Sequence, residues 1–196
     1  MGRASTIGGM SVLDDPAISL ARLSVAQYHQ MIASGVLIDG DPLELFEGVL
    51  VDKMTEGPAH SYRITQLARL IMRSLGDSPW RLRVQHPIST DDSEPEPDLA
   101  IVVDRDYSTR HPSPAEVACI IEVAGTSLSR DRSTKQRIYA TAGIVRFIIV
   151  NLNEGVVEIY TQPTAHGDAR YLHHDTLSTG VVDLGPLALD AERLLA

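Results

Sequence analysis

The sequence predicts an α/β fold, a central mixed β-sheet flanked by helices. Three observations carry this. Apolar runs at 99–103, 117–123 and 145–152 read as buried strands. A helix-period segment at 59–75 precedes them. A second helical segment opens at Ser129 or Arg130, closes at Ala142 before Gly143, and lies between the last two runs. A strand–helix–strand crossover of that kind makes its two strands parallel neighbours. The turn Asn153-Glu154-Gly155 instead joins 145–152 to 156–161 as an antiparallel hairpin, so the sheet is mixed.

A chain of 196 residues with 43% apolar and 22% charged residues is expected to form one domain with a substantial core. The first twenty residues are rich in Gly, Ser and Ala without periodicity and read as a flexible tail, 1–20, ahead of a domain over 21–196. No apolar run approaches the roughly 18 residues of a membrane span, and no charged-then-apolar leader pattern opens the chain, so a cytoplasmic location with no membrane partner is expected. Cys119 is the single cysteine and lies in an apolar strand, which excludes an internal disulfide. A net charge of −9 argues against broad nonspecific nucleic-acid binding. It does not exclude a nuclease, because an acidic metal site carries much of its charge until cations bind.

In chain order, Ser24 caps a short helix over 25–34, with Gly35 just past its end. Two strands follow around Glu47-Gly48, with Glu44 on the face opposite Leu43 and Leu45. In the helix over 59–75, Ile64, Leu67, Ile71 and Leu75 form the apolar stripe and His60 lies in the first turn. Residues 80–88 alternate as a half-buried strand. The acidic stretch 91–97, with Asp91, Asp92, Glu94 and Glu96, reads as a solvated turn in preference to a second metal site, and 104–116 as a polar connection. Segments 171–177 and 180–184 read as edge strands, and the Leu-rich C-terminus packs back on the domain. His173 and His174 are neighbours on a strand and point to opposite faces, which disfavours a shared metal.

Two carboxylates stand out because burying an unpaired one costs several kcal/mol. Asp98 opens one apolar strand and Glu122 sits inside another. Their partner is a metal ion, a lysine or each other. Asp131, Lys135 and Tyr139 share one face of the following helix at i, i+4, i+8, so Lys135 can reach down to the strand ends. Carboxylates that hold Mg²⁺, with a lysine beside them, are the equipment of phosphodiester hydrolysis.

At these residues the sequence resembles the PD-(D/E)xK nuclease superfamily and, within it, the bacterial restriction-endonuclease family called Uma-two. The shared features are Leu43-Glu44-Leu45-Phe46-Glu47-Gly48, the helix opening with His60, Pro97-Asp98, Ile121-Glu122-Val123, Asp131 with Lys135, and Tyr139 to Gly143 before Arg146 to Val150. They span about residues 20–190. The resemblance implies a restriction-endonuclease-like fold and a Mg²⁺-dependent DNA endonuclease, with Mn²⁺ as a substitute, metal-activated water as the attacking group and a 5′-phosphate product. It implies Asp98, Glu122, Glu44 and the Val123 carbonyl as metal ligands, Lys135 as the catalytic lysine and His60 nearby. It also implies a homodimer that cuts both strands. Two positions depart from the pattern. Ala124 stands where the strict motif has its lysine, so Lys135 must supply it from the helix. Gly125-Thr126 replaces the family's serine-proline pair.

Each residue also has a structural reading. Asp98 can cap a strand entry, Lys135 can form a surface i, i+4 pair with Asp131, and Glu44 and His60 can be exposed. The rival to an enzyme is a catalytically inactive nuclease-fold module acting in protein or nucleic-acid interaction. A hydrolase of another phosphate ester is a third reading. Arg81, Arg83, Arg105, Arg110, Arg130, Arg132 and Arg137 gathered around the site would favour the nuclease; dispersed, they favour the module.

Overall fold

Six strands form the central sheet in the order β3-β4-β5-β6-β7-β8. They are β3 (Trp80–Val84), β4 (Leu99–Val103), β5 (Val117–Ala124), β6 (Arg146–Asn151), β7 (Val156–Thr164) and β8 (Arg170–Leu177). The structure, a computed structural model, describes residues 15, 17–38, 40–54, 57–165 and 168–196, so most of the tail expected over 1–20 lies outside the described residues. The β5·β6 pair is parallel and every other pair in this sheet is antiparallel. The crossover between β5 and β6 is helical, as its sequence requires: α3 (Leu128–Arg130), a π-helical turn (Asp131–Lys135) and α4 (Gln136–Thr141).

The two faces of the sheet are covered separately. On one, α2 (Pro58–Leu75) lays Ile64, Leu67, Ile71 and Leu75 against Leu99, Ile101, Ile121, Val123 and Ile148. Each such aliphatic side chain contributes about 1.5–3 kcal/mol relative to exposure. The C-terminal leucines pack back here through α5 (Ala191–Leu195), whose Leu194 is buried and whose carbonyl accepts from the Arg63 guanidinium. On the other face, α4 places Ile138, Tyr139 and Ala140 over Ala100, Ile120, Phe147 and Ile149. Glu122 belongs to this second face, because residues 120, 122 and 124 of a strand point the same way. Asp98 keeps the same parity on the neighbouring strand.

Outside the sheet, α1 (Val25–Ala33) starts with a capping box between Ser24 and Gln27. The hairpin of β1 (Leu43–Phe46) and β2 (Val49–Asp52) turns at Glu47-Gly48, both at positive φ. Gly48 is also needed for space: a Cβ there would lie 2.8 Å from the Leu23 carbonyl oxygen. Three elements differ from the sequence reading. β3 stops at Val84 because Gln85 adopts φ 51, which no strand can continue. Residues 181–183 form β9 and pair with β10 (Ala188–Asp190) in a separate ribbon rather than at the sheet edge. The acidic stretch is not wholly solvated: Ser93 and Glu94 are buried, and Glu94 bridges Leu45.

Candidate active site

Strands β4 and β5 run antiparallel with Leu99 opposite Ile121, which sets Asp98 beside Glu122 at the sheet end. The two are joined through backbone groups. The Val123 amide donates to Asp98 Oδ2 at 2.7 Å, and the Asp98 amide to Glu122 Oε2 at 3.3 Å. The crossover helix then supplies the cation. Lys135 Nζ donates to Glu122 Oε1 at 2.8 Å, and the Tyr139 hydroxyl donates to the same oxygen at 2.9 Å. Asp131 lies 3.8 Å from Lys135 and accepts from Ser127 Oγ at 2.6 Å, while its second oxygen is buried without a hydrogen-bond partner. The shared face of Asp131, Lys135 and Tyr139 is therefore real, and the surface reading of Lys135 fails: its side chain is 5% exposed.

The electrostatics follow from crowding charge in a dry place. Burial, reinforced by the neighbouring carboxylates Asp98 and Asp131, pushes the Glu122 carboxyl up to about 8 despite the pull of Lys135. Burial also raises Asp131. For Lys135, burial favours the neutral amine, but Glu122, Glu44, Asp131 and Asp98 outweigh it and hold the ammonium above the usual lysine range. Burial and the Glu122 charge keep the Tyr139 phenol well above its ordinary value, so it remains a donor.

The other expected residues sit around the rim of a cleft of about 500 Å³ that Glu122, Asp98 and Lys135 also line. His60 enters from the first turn of α2, with Nε2 3.5 Å from Asp98 Oδ1. Glu44 is buried on β1, accepts from the Glu96 amide at 2.8 Å, and lies 3.9 Å from the Arg130 guanidinium. The hairpin thus brings Glu44 to the same cleft. It does not close a tight cage: among the described residues, Glu44, Asp98 and Glu122 do not each bring an oxygen within 4.8 Å of the others.

Lys53 and Gln85, which the sequence does not mark, also line the cleft, and so does Glu96 from the stretch expected to be a solvated turn. Lys53 pairs with Glu96 at 2.6 Å, and the Gln85 backbone N–H donates to the Asp98 backbone carbonyl at 3.0 Å. None sits in a pattern that sequence spacing reveals. Of the arginines considered as a patch, Arg130 lines the cleft. Arg81 pairs with Asp104, Arg105 and Arg110 with Glu116, Arg132 with Glu154 and Glu158, and Arg137 with Glu47.

The fold has a solved counterpart. A crystal structure titled as a "putative nuclease belonging to DUF820" from Anabaena variabilis superposes with a TM-score of 0.66 over 88% of this chain and 97% of that one. Sequence identity is 15%, so the likeness is one of fold. No curated protein matches the chain. Among the described residues, no helix is long and apolar enough to cross a membrane. The family Uma2, described as "Putative restriction endonuclease", matches residues 25–193, nearly the whole chain; the protein belongs to that family.

Proposed function

We propose that the protein is a Mg²⁺-dependent endonuclease acting on DNA, with Mn²⁺ as a substitute metal. The observation that carries this reading is the insertion of Lys135 from the crossover helix onto Glu122, beside Asp98. This restores the aspartate–glutamate–lysine trio that Ala124 interrupts in the strand.

The donor set fits a hard divalent cation. It consists of carboxylate oxygens facing one cleft, and a buried Asp131 oxygen without a hydrogen-bond partner lies behind them. Asp98, Glu122 and the Val123 carbonyl are the proposed ligands, with Glu44 as the third carboxylate. Bound there, Mg²⁺ would supply an acidified water and neutralise charge on phosphorus. The remaining steps belong to the chain. The Lys135 ammonium stays charged and faces the charge that develops on the phosphate. Arg130 lines the same cleft and offers a guanidinium for a phosphate oxygen. His60 stands next to Asp98, within reach of a group bound there. Two copies related by a two-fold axis would cut both strands of a duplex.

One observation favours the inactive interaction module instead. Among the described residues, Arg81, Arg105, Arg110, Arg132 and Arg137 are each paired with a carboxylate, which leaves fewer free cations for nucleic acid. Calorimetric titration of Mg²⁺ and Mn²⁺, with plasmid nicking on the same samples, separates the two. Wild type is expected to bind metal and nick; Asp98→Asn loses both, and Lys135→Ala loses nicking. Nicking that persists in both variants overturns the site, and no metal binding by wild type moves the reading to the module.

A further inference from the structure

A second cluster of metal-competent side chains lies outside the cleft. His29 projects from α1, Glu94 from the acidic stretch before β4, and His111 from the connection between β4 and β5. His29 Nε2 is 2.9 Å from both Glu94 carboxylate oxygens, and His111 Nε2 is 3.8 Å from Oε1. One ligand atom from each residue lies within 4.8 Å of the other two. The Glu94 side chain is 3% exposed, and the two imidazoles are its side-chain partners.

We propose that His29, Glu94 and His111 form a second metal site that selects a divalent transition ion of the zinc class. The chemistry argues for that class over Mg²⁺. Imidazole nitrogen is a good ligand for zinc and its neighbours in the series, whereas Mg²⁺ prefers oxygen and water. Two histidines and one glutamate are an established zinc set that leaves a fourth position open. Bonds of about 2.0–2.1 Å in a tetrahedron put ligand atoms roughly 3.3 Å apart, a value that lies between the observed 2.9 and 3.8 Å. Little side-chain movement is needed to load the site.

The site's position gives it a role. Helix α1 buries no residue of its own, so packing contributes little to holding it. A metal at Glu94 would staple α1 to the segment that continues to Glu96 and Asp98. That segment also holds Glu44, through the Glu96 amide. The second metal is thus a clip on the same segment that carries Glu96 and Asp98 into the cleft. It does not depend on the nuclease reading.

The test uses tag-free, metal-stripped full-length protein titrated with Zn²⁺ and with Co²⁺ in the presence of excess Mg²⁺. One ion per chain is expected, with the visible absorption of tetrahedral Co²⁺ and a raised melting temperature. His29→Ala and His111→Ala should each weaken binding by more than the about 10–100-fold that losing a mere supporting partner costs. Asp98→Asn should leave it unchanged. His29 is exposed on a helix without buried residues, so its replacement leaves the core untouched and the variant folded. No stoichiometric binding overturns the proposal. So does binding that survives both histidine variants, or binding that Asp98→Asn removes. In those cases the trio is a hydrogen-bonded latch only.

Discussion

Two glutamates on one face of the sheet behave in opposite ways. Glu122 on β5 and Glu158 on β7 both stand opposite Ile149 of the strand between them, so they point to the same side about 9–10 Å apart. Both are almost completely buried, at 2% and 1% exposure. The π turn of the crossover serves both: Lys135 goes to Glu122 and Arg132 to Glu158. Yet burial and neighbouring charge raise Glu122, whereas Glu158 is lowered. Burial pushes Glu158 up, but hydrogen bonds from Arg132, Asn151 and Tyr160 outweigh it. The difference is the company. Glu158 accepts a two-pronged guanidinium and two further donors, and the other acid on Arg132, Glu154, is exposed to solvent. Glu122 shares its lysine with Asp98, Asp131 and Glu44. A buried carboxylate is therefore not by itself a sign of chemistry. A buried carboxylate whose neighbours repel its charge is, because such an arrangement persists against its own cost.

The largest expected break in this comparison is Lys135→Met. It strands several acids around one vacated cation, and breaking a buried pair costs about 3–5 kcal/mol. Arg132→Ala removes hydrogen bonds from a charged group but leaves Asn151 and Tyr160 in place, a loss of about 1.5–3 kcal/mol. Urea unfolding at pH 8 should rank the two in that order. Adding Glu122→Gln to Lys135→Met should return part of the loss, since removing both members of a buried pair is cheaper than removing one. A Lys135 variant as stable as wild type would show that the acids do not depend on it.

Acidity sharpens the comparison next. The folded-state value of Glu122 is raised from 4.5 to about 8. Its contribution to stability is complete below the lower value and is lost as pH rises through the upper one. Glu158 has a lowered value, so its contribution is present above the ordinary glutamate range and is lost as pH falls. Glutamine does not titrate in either place. Unfolding free energies measured at pH 3, 5 and 8.5 should therefore diverge. Glu122→Gln gains on wild type as pH rises, by at most about 1.4 kcal/mol per pH unit. Glu158→Gln gains as pH falls below the glutamate range. Parallel curves for wild type and Glu122→Gln would remove the claim that Glu122 is held in a strained ionisation state.

Much of this arrangement is legible in the sequence, for identifiable reasons. Strand order around the crossover follows from the apolar runs and from the rule that strand–helix–strand units pair in parallel. Lys135 reaching Glu122 follows from a helical face that must cover the sheet. What escapes is the content of long-range encounters. The π turn closes its hydrogen bonds one residue further along than an α-helix, and nothing in Asp131-Arg132-Ser133-Thr134-Lys135 announces it. The pairing of Arg132 with Glu158 spans 26 residues, and that of His29 with Glu94 spans 65. Composition made residues 91–97 look solvated, but the Glu94 amide donates to the Leu45 carbonyl and draws its side chain inward between two histidines. Periodicity reports the face an element buries; it is silent on which polar group from a distant element will be waiting there.

The smallest expected effect concerns Tyr139, whose hydroxyl shares Glu122 Oε1 with Lys135. Tyr139→Phe keeps the ring, which packs 5.1 Å from Phe147 between centroids, and removes only the donor. One neutral hydrogen bond is worth about 0.5–1.5 kcal/mol, and slightly more where it is given to a charged group. The stability loss should fall in that range. The more telling readout is titration. Without the phenol, ionised Glu122 loses a donor while its repelling neighbours remain, so its folded-state value should move further up. The pH at which the stabilities with Glu122 and with Glu122→Gln stop drawing apart should shift upward in the Tyr139→Phe background. A downward shift would mean that the hydroxyl favours the protonated acid, and that Lys135 alone holds the charged form.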